Sequence, residues 1–219
     1  MNFLSGLFEN ASLMIPRSEK NGALWLGNSD AIVDAKFLIE NNINLVINCT
    51  PTLPFIYETD KDIKGLHELE TIRLPVYDSL LDKDIYLMES YYHEILPLTL
   101  NKLIKEKRNV IINCRAGRQR SASIVALVLF MIVLNDLTNV PCLTDSFAIG
   151  KVPCLTDRFA IGKVPGLTNM QGLTNMQGNR PELMRSVIKY ILNKRPLAFS
   201  LGLRINFKKS LETFLGFKF

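Results

Sequence analysis

An α/β fold, one domain built on a central, mostly parallel sheet flanked by helices, is what this sequence predicts. Three observations carry that prediction. Short apolar runs of strand character, such as Leu45–Cys49 and Asn109–Ile112, are separated by longer runs with helical periodicity. The two kinds of segment alternate along the chain, the order that builds crossover connections between parallel strands. The strongest apolar run, Ile124–Leu134, suits a core helix but falls short of the roughly 20 residues that a membrane-spanning helix needs. With 219 residues, 47% hydrophobic and 21% charged, the chain can close one domain around a sizeable core.

Taken in order, Ala23–Leu26 reads as a strand closed by Gly27. Asn28 to Asp30 offer N-cap chemistry for a helix over Ala31–Glu40, and Asn41-Asn42 ends it. Leu45–Cys49 is a short, buried strand, and Thr71–Val76 is another, ending at Tyr77-Asp78. Asp84 is expected to cap a helix running to about Lys107, with a kink at Pro97, which has no N–H to give. Asn109–Ile112 is a strand and Ser121–Leu134 a core helix; Pro181–Lys194 and Ile205–Phe214 follow as helices. At the start, Met1–Pro16 carries Phe3, Leu4, Leu7, Phe8, Leu13 and Ile15 and is expected to pack on the body as a short amphipathic helix. It lacks a basic leading segment and contains Glu9, so a signal peptide is not expected.

One segment breaks the pattern. Val140–Lys151 recurs as Val152–Lys163 with a single change, Ser146 to Arg158, and the hexad Gly166–Gln171 recurs as Gly172–Gln177. Copies so few and so rich in turn residues do not build a solenoid. Residues 139–178 therefore read as an inserted, flexible surface loop, and Cys142 and Cys154 as passengers within it.

The net charge of +5 suits anionic partners, although a solvated surface alone would account for it. No long run of Lys and Arg marks a nucleic-acid tail. The four cysteines form no Cys-x-x-Cys pair and lie far from His67 and His93, so no metal site is expected. They are too few for a secreted disulfide scaffold of this size, which points to a reducing, cytoplasmic setting.

The segment that carries chemistry is Val110–Ser123, Val-Ile-Ile-Asn-Cys-Arg-Ala-Gly-Arg-Gln-Arg-Ser-Ala-Ser. A buried strand delivers Cys114 to a tight loop, five residues follow, and then Arg120 and Ser121 open an apolar helix. Successive backbone N–H groups leading into a helix N-terminus form a nest for an anion. The same positive potential favours the thiolate of Cys114. Arg120, across the loop, can hold two phosphate oxygens at once. Gly117 allows a backbone conformation that a side chain would hinder.

With that signature, Cys114-Arg-Ala-Gly-Arg-Gln-Arg120-Ser121-Ala-Ser-Ile, the chain resembles the dual-specificity phosphatases of the cysteine-based protein tyrosine phosphatase superfamily. Leu24–Gly27 and Asn44–Pro54 look like that family's first strand and its second strand with the following loop. Leu74–Asp78 looks like its acid-bearing strand end, and Lys194-Arg-Pro196 like part of its late helix pair. The likeness covers about residues 22–137 and 180–216. It makes 1–21 an N-terminal extension and 22–216 the catalytic domain, interrupted by the 139–178 insertion.

The resemblance implies a two-step mechanism without a cofactor or metal. Cys114 attacks phosphorus and forms a cysteinyl-phosphate. Asp78 protonates the leaving oxygen and then assists water. Arg120 and the loop amides hold the equatorial oxygens, and Ser121 hydrogen-bonds the departing thiolate. Asp82 and Asp84 stand near enough in sequence to be alternative acids. The implied substrate-binding residues are Arg115, Ala116, Gly117, Arg118 and Gln119, with Asn113 beside them. Asn113 is a departure, since the family usually has His there. Asn can still donate to a carbonyl but brings no charge, so the thiol pKa is expected to be higher than in relatives and the activity reduced. Cys49, at the end of a strand expected to neighbour that of Cys114, is either a small buried apolar residue or a redox partner of the nucleophile, as in some relatives.

The short linker from Asp78 to Cys114 suits the shallow-pocketed branch that accepts phosphoserine and phosphothreonine besides phosphotyrosine. A phosphorylated protein is thus the expected partner. The basic loop keeps a phosphoinositide or other phospholipid headgroup as the alternative, because Arg115 and Arg118 could hold a second phosphate. An RNA 5′-phosphate is less favoured, with no aromatic-basic surface evident, and no nucleic-acid partner or transmembrane segment is expected. A catalytically weak phosphate-binding module is the reading from a different class.

Overall fold

Side chains alternate across a strand, so each strand of a sheet covered on both faces must be apolar on both. The computed structural model describes residues 9–59, 65, 66, 68–79, 81–138, 179–199 and 207–219. Its five strands are β1 (Ala11–Ile15), β2 (Leu24–Gly27), β3 (Ile43–Asn48), β4 (Glu70–Arg73) and β5 (Asn109–Asn113). They form one sheet in the order β1-β2-β5-β3-β4, with β1 antiparallel to β2 and every other pair parallel. Leu24, Leu26, Leu45, Ile47, Val110 and Ile112 face the larger core, and Ile43, Val46 and Ile111 face a smaller one. The α/β class with a mostly parallel sheet is the one the sequence predicts.

Helices α1 (Ala35–Glu40) and α2 (Ile56–Thr59) lie with the smaller core. The larger core is covered by α3 (Asp82–Leu100), α4 (Arg120–Thr138), α5 (Arg180–Lys194) and α6 (Lys208–Leu215). Every residue of α4 from Ser121 to Leu134 is buried. A helix apolar all round belongs in the interior, and α4 packs against the sheet, α3, α5 and α6. No helix among the described residues is long and apolar enough to cross a membrane. Inside this layer the Tyr92 hydroxyl donates to Ser123 Oγ at 3.0 Å and lies 3.1 Å from Ser210 Oγ, which joins α3, α4 and α6 through a satisfied polar contact.

Several expectations need correction. The N-terminal segment is not a helix over residues 11–15 but the edge strand β1. Its alternation puts Ser12 and Met14 inside, and antiparallel pairing to β2 satisfies its backbone. Helix α1 starts at Ala35 rather than Ala31. Asn28 Oδ1 does accept from the N–H groups of Asp30 and Ala31, at 3.0 and 3.1 Å, but in a turn, and the cap of the helix is Asp34, accepting from Phe37 N at 3.1 Å. Strand β4 stops at Arg73, before Pro75. Helix α3 is capped at Leu81, with Asp84 inside its first turn. It runs through Pro97 and meets its irregularity one turn later, where Asn101–Lys105 is π-helical and Glu106 N reaches Asn101 O at 3.1 Å. The 139–178 repeat, with Cys142 and Cys154, lies outside the described residues, as does His67.

The register sets up the site. Gly27, Asn48 and Asn113 lie side by side at the carboxyl ends of β2, β3 and β5. Three loops therefore leave the sheet at one place, with the loop of the central strand in the middle. In open parallel sheets this is where ligands bind.

Candidate active site

Cys114 leaves the sheet at its centre and is 2% exposed. Arg120, six positions on, opens helix α4. Between them the loop carbonyls are tied away from the thiol one after another. Arg115 O accepts from Ser29 N and Ser29 Oγ, both at 3.2 Å. Ala116 O accepts from Arg195 Nη2 at 3.2 Å and Gly117 O from Arg195 Nε at 3.0 Å. Arg118 O accepts from Phe199 N at 2.6 Å. A planar trans peptide sets each N–H opposite the preceding C=O. Turning these carbonyls outward therefore turns the N–H groups of Ala116, Gly117, Arg118 and Gln119 to the other side, an arrangement that can receive an anion. Gly117 is required for two reasons: its φ is +64°, and a Cβ there would stand 2.6 Å from Gly27 O and 2.7 Å from Arg195 Nη2.

Arg120 is almost wholly buried. Its Nη1 donates to Cys49 O at 3.1 Å and to Val76 O at 2.8 Å, so β3 and the segment after β4 hold the guanidinium in one plane. Its Nη2 reaches Asp78 Oδ2 at 3.5 Å, while Nε has no partner. A buried donor without a partner is costly unless a ligand meets it. Of the three aspartates that the sequence leaves as candidate acids, Asp78 is the one on Arg120. Asp82 pairs with Lys209 at 2.8 Å, and Asp84 accepts from Ser79 Oγ.

Ser121 Oγ donates to Cys114 Sγ at 3.2 Å. Burial pushes the Cys114 thiol up, but the Arg120 charge, the Ser121 hydroxyl and the backbone N–H groups of Ser121 and Arg118 outweigh it, and the net shift is below the ordinary thiol value. Cys114, Arg120, Asp78 and Ser121 are thus brought together. Arg115 is exposed at the rim and Arg118 half-buried, whereas Gln119 is buried. Asn113 is fully buried, and neither atom of its amide has a hydrogen-bond partner, so the carbonyl contact expected of it is not made.

Sequence reasoning missed Arg195, Ser29 and Phe199 as the residues that shape the nest. Lys194-Arg-Pro196 is visible as a family feature, but nothing local links Arg195 to a loop 78 residues away.

The family model described as the dual specificity phosphatase catalytic domain matches residues 24–139, more than half of the chain. The chain belongs to the dual-specificity phosphatase family. That membership puts it among the cysteine-based protein phosphatases. The Yvh1 phosphatase domain from Chaetomium thermophilum shares the fold at a TM-score of 0.56 and 12% identity, covering 94% of this chain and 95% of its own. Human DUSP28 is similar at a TM-score of 0.49 and 14% identity, over 93% of this chain and 92% of that one. OH1 from the Orf virus is similar at 0.49 and 12% identity, over 91% and 87%. No curated protein matches the sequence.

In this dual-specificity phosphatase Cys49 leaves β3 beside Cys114. Its N–H donates to Asn113 O at 2.8 Å, and the register Asn48–Asn113 makes Cys49 and Cys114 the next residues of two paired strands. Burial pushes the Cys49 thiol well up, and the neighbouring Cys114 pushes it the same way against the pull of Arg120. Burial and that neighbour both favour the neutral form of the Cys49 thiol. Peroxide is expected to convert Cys114 to a sulfenic acid, which Cys49 then condenses with, losing water. Mass spectrometry of peroxide-treated protein should show a Cys49–Cys114 linked peptide that Cys49→Ser abolishes. Stepwise over-oxidation of Cys114 without a link would remove the redox role and leave Cys49 as packing.

Proposed function

We propose that this chain hydrolyses phosphotyrosine, phosphoserine and phosphothreonine in protein substrates through a cysteinyl-phosphate on Cys114. The observation that carries the reading is Asp78 meeting Arg120 at 3.5 Å beside the nucleophile, from 42 residues away in sequence. A carboxyl group and a phosphate clamp then face the same anion. Cys114 Sγ attacks phosphorus, and the bond to the leaving oxygen breaks as that oxygen takes the Asp78 proton. Arg120, through its free Nε–H and Nη2, and the amides of residues 115–120 hold the equatorial oxygens. In the second step Asp78 takes a proton from water, water attacks phosphorus, and the S–P bond breaks. The Ser121 hydroxyl then stabilises the returning thiolate.

A second reading, a phospholipid headgroup as substrate, is favoured by Arg115, a cation exposed on the loop rim. Orthophosphate release is the measurement that separates the two, using a panel of phosphotyrosine, phosphothreonine and phosphoserine peptides against short-chain phosphoinositides, with Cys114→Ser as the blank. Release from all three peptide classes is expected. Release from phosphoinositides alone would replace the protein reading with the lipid one, and release from phosphotyrosine peptides alone would remove the dual specificity. Binding without turnover would leave a phosphate-binding module.

A further inference from the structure

The segment that carries Asp78 has a second anchor. Helix α3 is capped at Leu81, whose side chain offers no acceptor to the unpaired N–H groups of the first turn. An acidic residue three positions into a helix ordinarily reaches back to the N-cap N–H. Asp84 holds that position and is 3% exposed, but here the contact runs through a relay. Leu81 N donates to Ser79 Oγ at 3.3 Å, and Ser79 Oγ donates to Asp84 Oδ2. Behind Asp84, Ile85 and Met88 are buried in the larger core and fix this end of the helix.

Ser79 directly follows Asp78, so one hydroxyl both caps α3 and holds the acid segment. The contact that Asp78 itself makes is to Arg120 at 3.5 Å. A phosphoryl group bound in the loop competes for that guanidinium and releases Asp78 from it. With substrate in place, the Ser79–Asp84 pair still ties the acid segment to helix α3 on its far side, while Arg120 Nη1 on Val76 O and the buried Val76 side chain hold its near side. We propose that Ser79 and Asp84 are positioning residues that hold Asp78 in line with the leaving oxygen, an inference that rests on Asp78 being the acid.

The role has a signature that loss of stability alone does not produce. A leaving group of high pKa needs a proton in the transition state; one of low pKa departs as the anion and does not. The experiment measures kcat/KM with phenyl phosphate, whose phenol has a pKa of about 10 as in tyrosine, and with 2,4-dinitrophenyl phosphate, a far better leaving group. Ser79→Ala and Asp84→Ala are expected to lower the phenyl phosphate value about 10-fold, part of the roughly 10²–10⁴-fold that a general acid supplies. The dinitrophenyl value should stay within about 2-fold. Asp84→Asn keeps an acceptor oxygen for Ser79 and should retain most of the phenyl phosphate rate. Asp78→Asn gives the limiting, leaving-group-selective loss.

Equal losses on both esters, no loss on either, or an Asp84→Asn variant as impaired as Asp84→Ala would overturn the positioning role. If Asp78→Asn itself falls equally on both esters, the acid assignment fails and takes this inference with it. Wild-type protein inert to both esters would instead remove the phosphatase reading.

Discussion

Arg120→Lys is expected to lower kcat by about 10²–10³-fold, the usual cost of removing a transition-state donor, even though the positive charge is kept. The reason is geometric. The guanidinium spends Nη1 on the carbonyls of Cys49 and Val76, which leaves Nε unpartnered and Nη2 on Asp78 as the pair of N–H groups in the same plane that a phosphate would meet. An ammonium is a point charge with three donors; it cannot keep two carbonyls and also offer a parallel pair of N–H groups. It would leave buried acceptors short or the phosphate held at one point. Arg120 is also the strongest influence lowering the Cys114 thiol against burial. A displaced charge should therefore move the pH midpoint of Cys114 alkylation upward. Steady-state rates with an aryl phosphate and an iodoacetamide titration check both parts. A kcat within a few-fold of wild type would mean that Arg120 does not clamp the transferring group.

Arg195→Met is expected to lower kcat/KM by about 10²-fold, although the hydrogen bonds of Arg195 run to loop carbonyls and β1 rather than to Cys114. Its side chain donates to Ala116 O and Gly117 O, and also to Glu9 O and Ser12 Oγ at 3.1 and 3.3 Å. Methionine fills similar volume but donates nothing. The two loop carbonyls would lose the donors that turn them outward, and the opposite N–H groups would lose their direction. The same change leaves the two buried acceptors, Gly117 O and Ser12 Oγ, unpaired at about 1–3 kcal/mol each, so the melting temperature should also fall. Activity measured well below the melting point separates the two effects. A variant that melts early but keeps full activity when folded would show that the loop holds its shape unaided.

Much of the fold was legible because it is local. The strand positions in Leu24–Gly27, Ile43–Asn48 and Asn109–Asn113 follow from short apolar runs, and the burial of α4 from an unbroken one. What went astray involved competition between neighbours. Asn28 carries a good capping side chain, but Ser29 is drawn to Arg115 O, which bends the chain into a turn before a helix can start. Met1–Pro16 reads as a short amphipathic helix, and the pairing of Ala11–Ile15 with the open edge of β2 made part of it a strand. Asn113 shows the limit from the other side. Its departure from the family pattern is plain in the sequence, but the absence of any partner for its amide is visible only in the packed interior.

The sequence by itself determined that Cys114 and Arg120 close on one loop, and the order of the elements that hold them, because the two lie in one unbroken strand–loop–helix segment whose spacing is its geometry. Only the tertiary structure decided which aspartate meets Arg120, and which distant groups turn the loop inside out to face an anion. Those contacts join residues 42, 78 and 86 positions apart. At such separations the meeting point is set by sheet register and helix packing, which no stretch of sequence states on its own.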